Sequence, residues 1–267
     1  MLGSIPKIMH FYWDGGNLSY LQFMSIISFN KFNPDWKIII HEPKSRYGFI
    51  TWKTNEQRIR YSGPDWYQDL KKLPFVEFNE VDFKSIGFTE ETPEVFKSDY
   101  LRWYLLSTVG GGWSDIDILY IKPVSNLDIG DYDTVICFRG DVHIIGFYLS
   151  KPNNIFFKNI LDRIGPDFYS EEYQSIGSTL LNEIYPNGTT SDSDVVLKNI
   201  PMDCLYAYRD NEINKLFTET DLSNINDKTI GIHWYNGSNI SKYFNNNYNH
   251  IEKNITNTIT EILNTIQ

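Results

Sequence analysis

The run Gly110-Gly111-Gly112-Trp113-Ser114-Asp115-Ile116-Asp117 follows Ser98-Asp99-Tyr100-Leu101-Arg102-Trp103-Tyr104 closely, and the two together set the reading of the whole chain. Side chains alternate between the faces of an extended strand, so Asp115 and Asp117 are expected on one face with Ile116 turned to the core. Two carboxylates this close repel unless positive charge sits between them. A divalent cation with oxygen ligands answers that need, and a pair of solvated aspartates at a strand end is the plainer alternative. The three glycines upstream allow a sharp turn and the close approach of a ligand.

Upstream, the spacing predicts a helix running to about Thr108, with Thr92 as its cap and Pro93 at the first helical position. Asp99 and Arg102 lie three apart on it and share a face. They suit either a helix ion pair or a polar face turned to a ligand, with Arg102 near phosphate and Asp99 near sugar hydroxyls. Further strands are expected over 8–13, 37–41, 76–78, 116–121, 135–138, 144–150 and 229–234, and further helices over 18–32, 155–164, 172–184 and 251–266. Asn245-Asn246-Asn247 reads as a surface loop. Strand, helix, strand at the start opens a parallel βαβ unit, and no linker or repeat divides the chain, so residues 1–267 read as one α/β domain.

Phe11, Tyr12 and Trp13 end the first strand, where the loops of open α/β sheets bind ligands; Trp13 there is either a core or rim residue or a platform for a nucleobase. His233 closes a late strand ahead of Trp234, Gly237 and Ser238, as a hydrogen-bonded structural histidine or a further metal ligand.

Composition narrows the function. A formal net charge of -10 disfavours a polynucleotide partner, which needs clustered Lys and Arg; one nucleotide can still bind if a metal supplies the positive charge. Two distant cysteines, Cys137 and Cys204, argue against a zinc cluster and suit a reducing compartment. No basic-then-apolar leader and no membrane-length apolar run is visible, so the expectation is a soluble, cytoplasmic protein with no transmembrane segment. Neither the GxxxxGK[ST] phosphate loop nor a GxGxxG after the first strand occurs, which disfavours a nucleotide-hydrolysing machine and a dinucleotide oxidoreductase.

The helix Ser98–Tyr104, the glycine turn and Asp115-Ile116-Asp117 together resemble the DXD signature of sugar transferases. It is shared by the yeast-type initiating α-1,6-mannosyltransferases, capsular polysaccharide sugar transferases and the large clostridial glucosylating toxins. The opening Ile5-Pro6-Lys7-Ile8-Met9-His10-Phe11-Tyr12-Trp13 and the ending His233-Trp234-Tyr235-Asn236-Gly237-Ser238 look similar too. This resemblance implies a GT-A-like nucleotide-sugar-binding fold, a central mostly parallel sheet flanked by helices. It implies a UDP- or GDP-sugar donor, a glycan, glycolipid or protein hydroxyl as acceptor, Mn2+ or Mg2+ as cofactor, and retention of configuration. By the same resemblance Trp13 stacks on the base, with Phe11 and Tyr12 beside it, and Trp113 lines the nucleotide pocket. Asp99 and Arg102 hold the donor sugar and its phosphate, and Asp115 touches ribose or the metal shell. Asp117 ligates the metal, His233 is a second protein ligand, and Ser238 lies near the diphosphate. The chain departs from the pattern at Ile145, where relatives often carry Asn, and at Asn239, where many carry Trp. A helical membrane-targeting start like that of the toxins is not expected from the opening residues, which disfavours a toxin. The missing Asn keeps a non-catalytic sugar-nucleotide-binding or lectin-like protein as the alternative, and paired carboxylates also serve metal-dependent phosphoryl transferases.

Overall fold

The computed structural model describes residues 3–45, 61–89, 92–164, 174–248 and 255–266. The elements in chain order are β1 (Ile8–Tyr12), α1 (Tyr20–Phe32), β2 (Lys37–Pro43), α2 (Tyr67–Lys71), β3 (Val76–Val81), α3 (Glu94–Thr108), β4 (Gly111–Ser114) and β5 (Ile118–Tyr120). They continue with β6 (Thr134–Ile136), β7 (Phe147–Ser150), α4 (Ile155–Arg163), α5 (Ser178–Ile184), β8 (Leu197–Asn199), α6 (Asn214–Thr218), β9 (Gly231–His233), α7 (Asn239–Asn247) and α8 (Thr258–Ile266). A seven-stranded sheet runs β3-β2-β1-β4-β7-β6-β8, and β5 pairs with β9 in a separate two-stranded sheet. In the large sheet β3, β2, β1 and β4 are mutually parallel, β8 is parallel to β6, and β7 is antiparallel to both its neighbours. This is the expected α/β architecture, a mostly parallel central sheet flanked by helices.

Alternation along the strands divides the core between the two faces. Met9 and Phe11 of β1 and Phe147 and Leu149 of β7 pack with Ile26 and Phe29 of α1. Tyr12, Trp113 and Tyr148 point the other way, onto Trp103 and Leu106 of α3 and Phe156 and Ile160 of α4. A third cluster joins the two-stranded sheet to α1, α6, α7 and α8 through Leu21, Leu119, Ile232, Leu216, Phe244 and Ile262. Cys137 and Cys204 are both free and buried. Among the described residues no helix is long and apolar enough to cross a membrane.

Several local expectations change. α1 starts at Tyr20, behind a capping box in which Ser19 and Gln22 satisfy each other's backbone N–H groups. Thr92 does not cap α3: its hydroxyl accepts from the Thr89 N–H at 3.1 Å, and Pro93 takes the cap position without a side-chain bond. The asparagine run 245–247 is the last turn of α7 rather than a loop, because Phe244 and Asn245 of that helix are buried. β8 was not expected; three residues are too few for alternation to register. The start of the helix expected over 172–184, and that of the one expected over 251–266, lie outside the described residues.

The glycine run fixes how β4 enters the sheet. Gly110 and Gly111 have φ of 71° and 96°, and an added Cβ would lie 2.6 Å from the Pro152 nitrogen at Gly110 and 2.5 Å from the Ile8 carbonyl oxygen at Gly111. At Gly112 it would meet the Met9 and Leu149 side chains at 2.6 and 2.8 Å. The glycines admit neighbouring strands, not a ligand.

A chain of hydrogen bonds through the buried His10 and His41 braces the same junction. His10 Nε2 lies 3.1 Å from the Gly110 carbonyl oxygen, His10 Nδ1 lies 3.0 Å from His41 Nε2, and His41 Nδ1 lies 3.0 Å from Asn79 Nδ2. A carbonyl only accepts and an amide nitrogen only donates, so both ends fix the tautomers: Asn79 donates to His41, His41 to His10, and His10 to Gly110. The chain ties β3, β2 and β1 to the turn before β4, and it exists only while both rings are neutral. Burial lowers His10 to about 4 and His41 to about 3. The unfolded chain therefore binds these protons first, and the stability tied to neutral rings is lost as pH falls from about 6.5 through those values. Thermal melts should show this loss at up to about 1.4 kcal/mol per pH unit for each histidine. A His10→Gln, His41→Gln variant should lose much less between pH 7 and pH 5; an equal loss in both proteins would disprove the assignment.

Candidate functional site

β4 belongs to the large sheet and β5 to the small one, so Asp115, Ile116 and Asp117 form the turn by which the chain crosses between them. This corrects the expectation of a strand there. The carboxylates converge because the turn is clamped from both sides. The Asp115 N–H donates to the Gly146 carbonyl at 2.7 Å, just before β7, and the Trp234 N–H donates to the Asp117 carbonyl at 2.9 Å, just after β9.

Positive charge reaches each carboxylate from the protein itself. Asp115 Oδ1 accepts from Arg102 Nη2 at 2.9 Å and from Trp113 Nε1 at 3.0 Å. The Arg102 guanidinium lies 4.9 Å from the Trp113 ring centroid, within cation–π range. Its Nη1 is 3.3 Å from Asp99 Oδ1, so Arg102 bridges α3 to the turn with both carboxylates as partners. Asp99 is pushed up to about 7 by burial, with Arg102 opposing and Asp115 adding to the shift. Near neutral pH Asp99 is thus divided between acid and carboxylate.

Asp117 Oδ1 lies 3.1 Å from His233 Nε2, and its Oδ2 accepts from the Asn236 N–H at 2.8 Å. Burial pushes Asp117 up and His233 down, but each outweighs this effect on the other, so the carboxyl is held below its usual range and the imidazole above. His233 Nδ1 is buried without a hydrogen-bond partner among the described residues. Asp115, Asp117 and His233 offer ligand atoms that all lie within 4.8 Å of one another. Adjacent ligands of a six-coordinate cation at about 2.1 Å stand about 3.0 Å apart, so the 3.1 Å edge between His233 and Asp117 fits such an ion once the shared proton has left.

Two clefts meet at this turn. The larger, of 480 Å³, runs past His233, Tyr206, Tyr235, Met202 and Ser238. The smaller, of 300 Å³, runs past Tyr12, Asp99, Arg102, Trp113 and Asn236. Of the residues singled out in the sequence, Tyr12, Asp99, Arg102, Trp113, Asp115, Asp117, His233 and Ser238 are therefore gathered at one place. Phe11 is not: it is fully buried edge-on against Phe29, because alternation in β1 sends it to the α1 face, and its expected contact with a donor is withdrawn. Trp13 lines neither cleft; its indole is 9% exposed within the core and its Nε1–H donates to the Gly16 carbonyl. Tyr12, which lines the smaller cleft, donates to Glu94, and Ser238 caps α7 through the Ser241 N–H.

Sequence reasoning missed Gly146, Gln174, Gly177, Tyr206 and Asn236. Asn236 acts through its backbone, which no side-chain motif reports. The glycines matter for the space they leave: a Cβ on Gly177 would lie 2.7 Å from Asp99 Oδ2, and one on Gly146 would lie 2.6 Å from Tyr206 Oη and 3.0 Å from Asp115 Oδ2.

No protein-family model matches the chain, and no curated protein matches it. Among solved structures it is similar to the PaToxG glycosyltransferase, with 17% identity over 70% of this chain and 71% of that one and a TM-score of 0.49. It is similar also to the glycosyltransferase GlyE of Streptococcus pneumoniae TIGR4, with 10% identity, 86% of this chain and a TM-score of 0.48, spanning 54% of that structure's length. An active-site mutant of LgtC matches at 15% identity over 85% of this chain and 87% of that one, with a TM-score of 0.42. All three scores lie below 0.5, so the functional reading rests on the site's own residues.

Gly146→Ala tests the packing around the turn. It should displace the Asp115 carboxylate from Arg102 and Trp113, with a stability loss of about 1–3 kcal/mol from overpacking. Thermal melts measure the loss, and an unchanged melting temperature in the variant would contradict the crowding argument.

Proposed function

We propose that this chain is a metal-dependent glycosyltransferase that moves a sugar from a UDP- or GDP-sugar to a hydroxyl acceptor, a glycan, glycolipid or protein. The observation that carries the reading is the convergence of Asp115, Asp117 and His233 where two clefts meet. Two carboxylates and one imidazole suit Mn2+, with Mg2+ the alternative. The resemblance of the DXD turn and the Ser98–Tyr104 helix to sugar transferases supplies the reaction class.

In this reading Asp117 and His233 hold the cation and Asp115 completes its surroundings. Bound there, the ion supplies Lewis-acid stabilisation to the departing diphosphate. Arg102 is fixed beforehand by Asp115 and by the Trp113 face, so its charge meets the charge growing on the leaving group without reorganisation. The smaller cleft, with Trp113, Arg102 and Asp99, takes the donor. The larger cleft brings the acceptor hydroxyl to the same carboxylates from the other side. Retention of configuration, with front-side attack, goes with the resemblance, and the anomer of the isolated product tests it.

Asp117→Ala should abolish Mn2+-dependent release of nucleotide from a panel of UDP- and GDP-sugars, by at least about a hundredfold, while the melting transition stays cooperative. Wild-type turnover in that variant would remove the metal assignment. A protein that binds its sugar nucleotide with Mn2+ but releases nothing would favour the non-catalytic alternative. Because the His233 proton lies on the atom that faces Asp117, metal and proton compete for it. Mn2+ affinity should therefore fall as pH drops through the raised His233 value and strengthen above it; a flat titration between pH 6 and pH 8 would exclude His233 as a ligand.

A further inference from the structure

The two clefts share Asp115, Asp117, Ile145, Gln174 and Gly237. These residues mark where the two clefts adjoin. The two aspartates are already held by Arg102, Trp113, His233 and Asn236. Ile145 is apolar and Gly237 has no side chain. Gln174 is left as the shared residue with an uncommitted polar side chain, since its amide makes no hydrogen bond to another described residue.

Its backbone is arranged to put it there. Gln174 has φ of 57°, in the left-handed region that residues other than glycine seldom adopt. Its carbonyl accepts from the Gly177 N–H at 2.9 Å and the Thr179 N–H at 3.3 Å, so the main chain is anchored at the start of α5. Held strain of this kind accumulates at functional sites, where surrounding contacts impose it. A side-chain amide carries two donors and one acceptor and no charge. It is poorly suited to a diphosphate, for which Arg102 is already in place, and well suited to the hydroxyls of a neutral ring.

We propose that Gln174 is a specificity-determining residue whose amide hydrogen-bonds a hydroxyl of the sugar in transit between the clefts. This rests on the sugar-transfer reading above and names one residue that chooses among sugars. A site built to hydrogen-bond a hydroxyl discriminates against a sugar that presents it differently, because the amide is then left unpaired.

The test uses the full chain, Mn2+ with UDP or GDP as a sugar-free probe, and nucleotide-sugars whose hexoses are epimers at one hydroxyl. Gln174→Leu keeps the bulk and removes the hydrogen bonds; Gln174→Gly removes the side chain and relaxes the backbone, which guards against misfolding. Both variants should hold the nucleoside diphosphate within about twofold of wild type. Both should lose about tenfold or more in kcat/KM for the preferred donor, and the ratio between epimers should shrink by a similar factor. Variants that keep the wild-type rate and epimer ratio would overturn the inference while leaving sugar transfer intact. So would a parallel loss of nucleoside diphosphate affinity, which would move the residue's contact to the phosphates. A wild-type chain that binds no nucleoside diphosphate with Mn2+ overturns the sugar-transfer reading and this inference with it.

Discussion

Two like charges held close together have to be compensated, and the arrangement of this protein around Asp115 and Asp117 follows from that requirement. Arg102 reaches Asp115 from α3, and His233 reaches Asp117 from the end of β9. These partners come from distant segments, so the carboxylate pair draws the large sheet, the small sheet and α3 to one point. The compensation differs on the two sides. The guanidinium is permanently charged and fixed between Asp99, Asp115 and the Trp113 ring, whereas the imidazole carries a proton that a metal ion can replace. One carboxylate is therefore permanently paired, and the other is exchangeable.

The crossing between sheets explains why the pair sits at an opening. β4 ends at Ser114 and β5 starts at Ile118, and neither sheet continues through the residues between. Backbone groups freed by the crossing are taken up by Gly146, which borders the larger cleft, and by the buried Trp234, whose neighbours His233 and Tyr235 border it. The same contacts that fold the turn thus set the walls of the cavities on either side. Glycine at 146 and 177 then keeps those walls from closing on Asp115 and Asp99.

Stability and function are separated along the chain. The neutral His10–His41 relay and the glycine run brace β1, β2 and β3 against β4 without touching either cleft. That rigid base sits directly behind the turn, so the carboxylates are carried by a braced strand and not by a free loop. Of the four described residues other than glycine with left-handed backbone, Gln174 and Tyr235 border the larger cleft, while Asp128 and Asn153 lie in turns away from it.

Much of this was legible in the residues. β1, α1, β2, β3, α3, β6, β7, α4 and β9 followed from apolar spacing, while α2, β4, β8, α6 and α7 did not; the residues also singled out Asp99, Arg102, Trp113, Asp115, Asp117 and His233, all of which the fold brings together. Alternation also contained the information that Phe11 and Tyr12 face opposite ways, although they were expected together. What local pattern determined was the longer periodic elements and the chemistry-bearing side chains, because periodicity and residue type are properties of short segments. Only the tertiary structure decided that the aspartates occupy a turn between two sheets, that Arg102 and His233 compensate them, and that Gly146, Gln174, Gly177 and Tyr206 shape the clefts. Those facts depend on contacts between residues tens to more than a hundred positions apart, and a sequence records no distance between such residues.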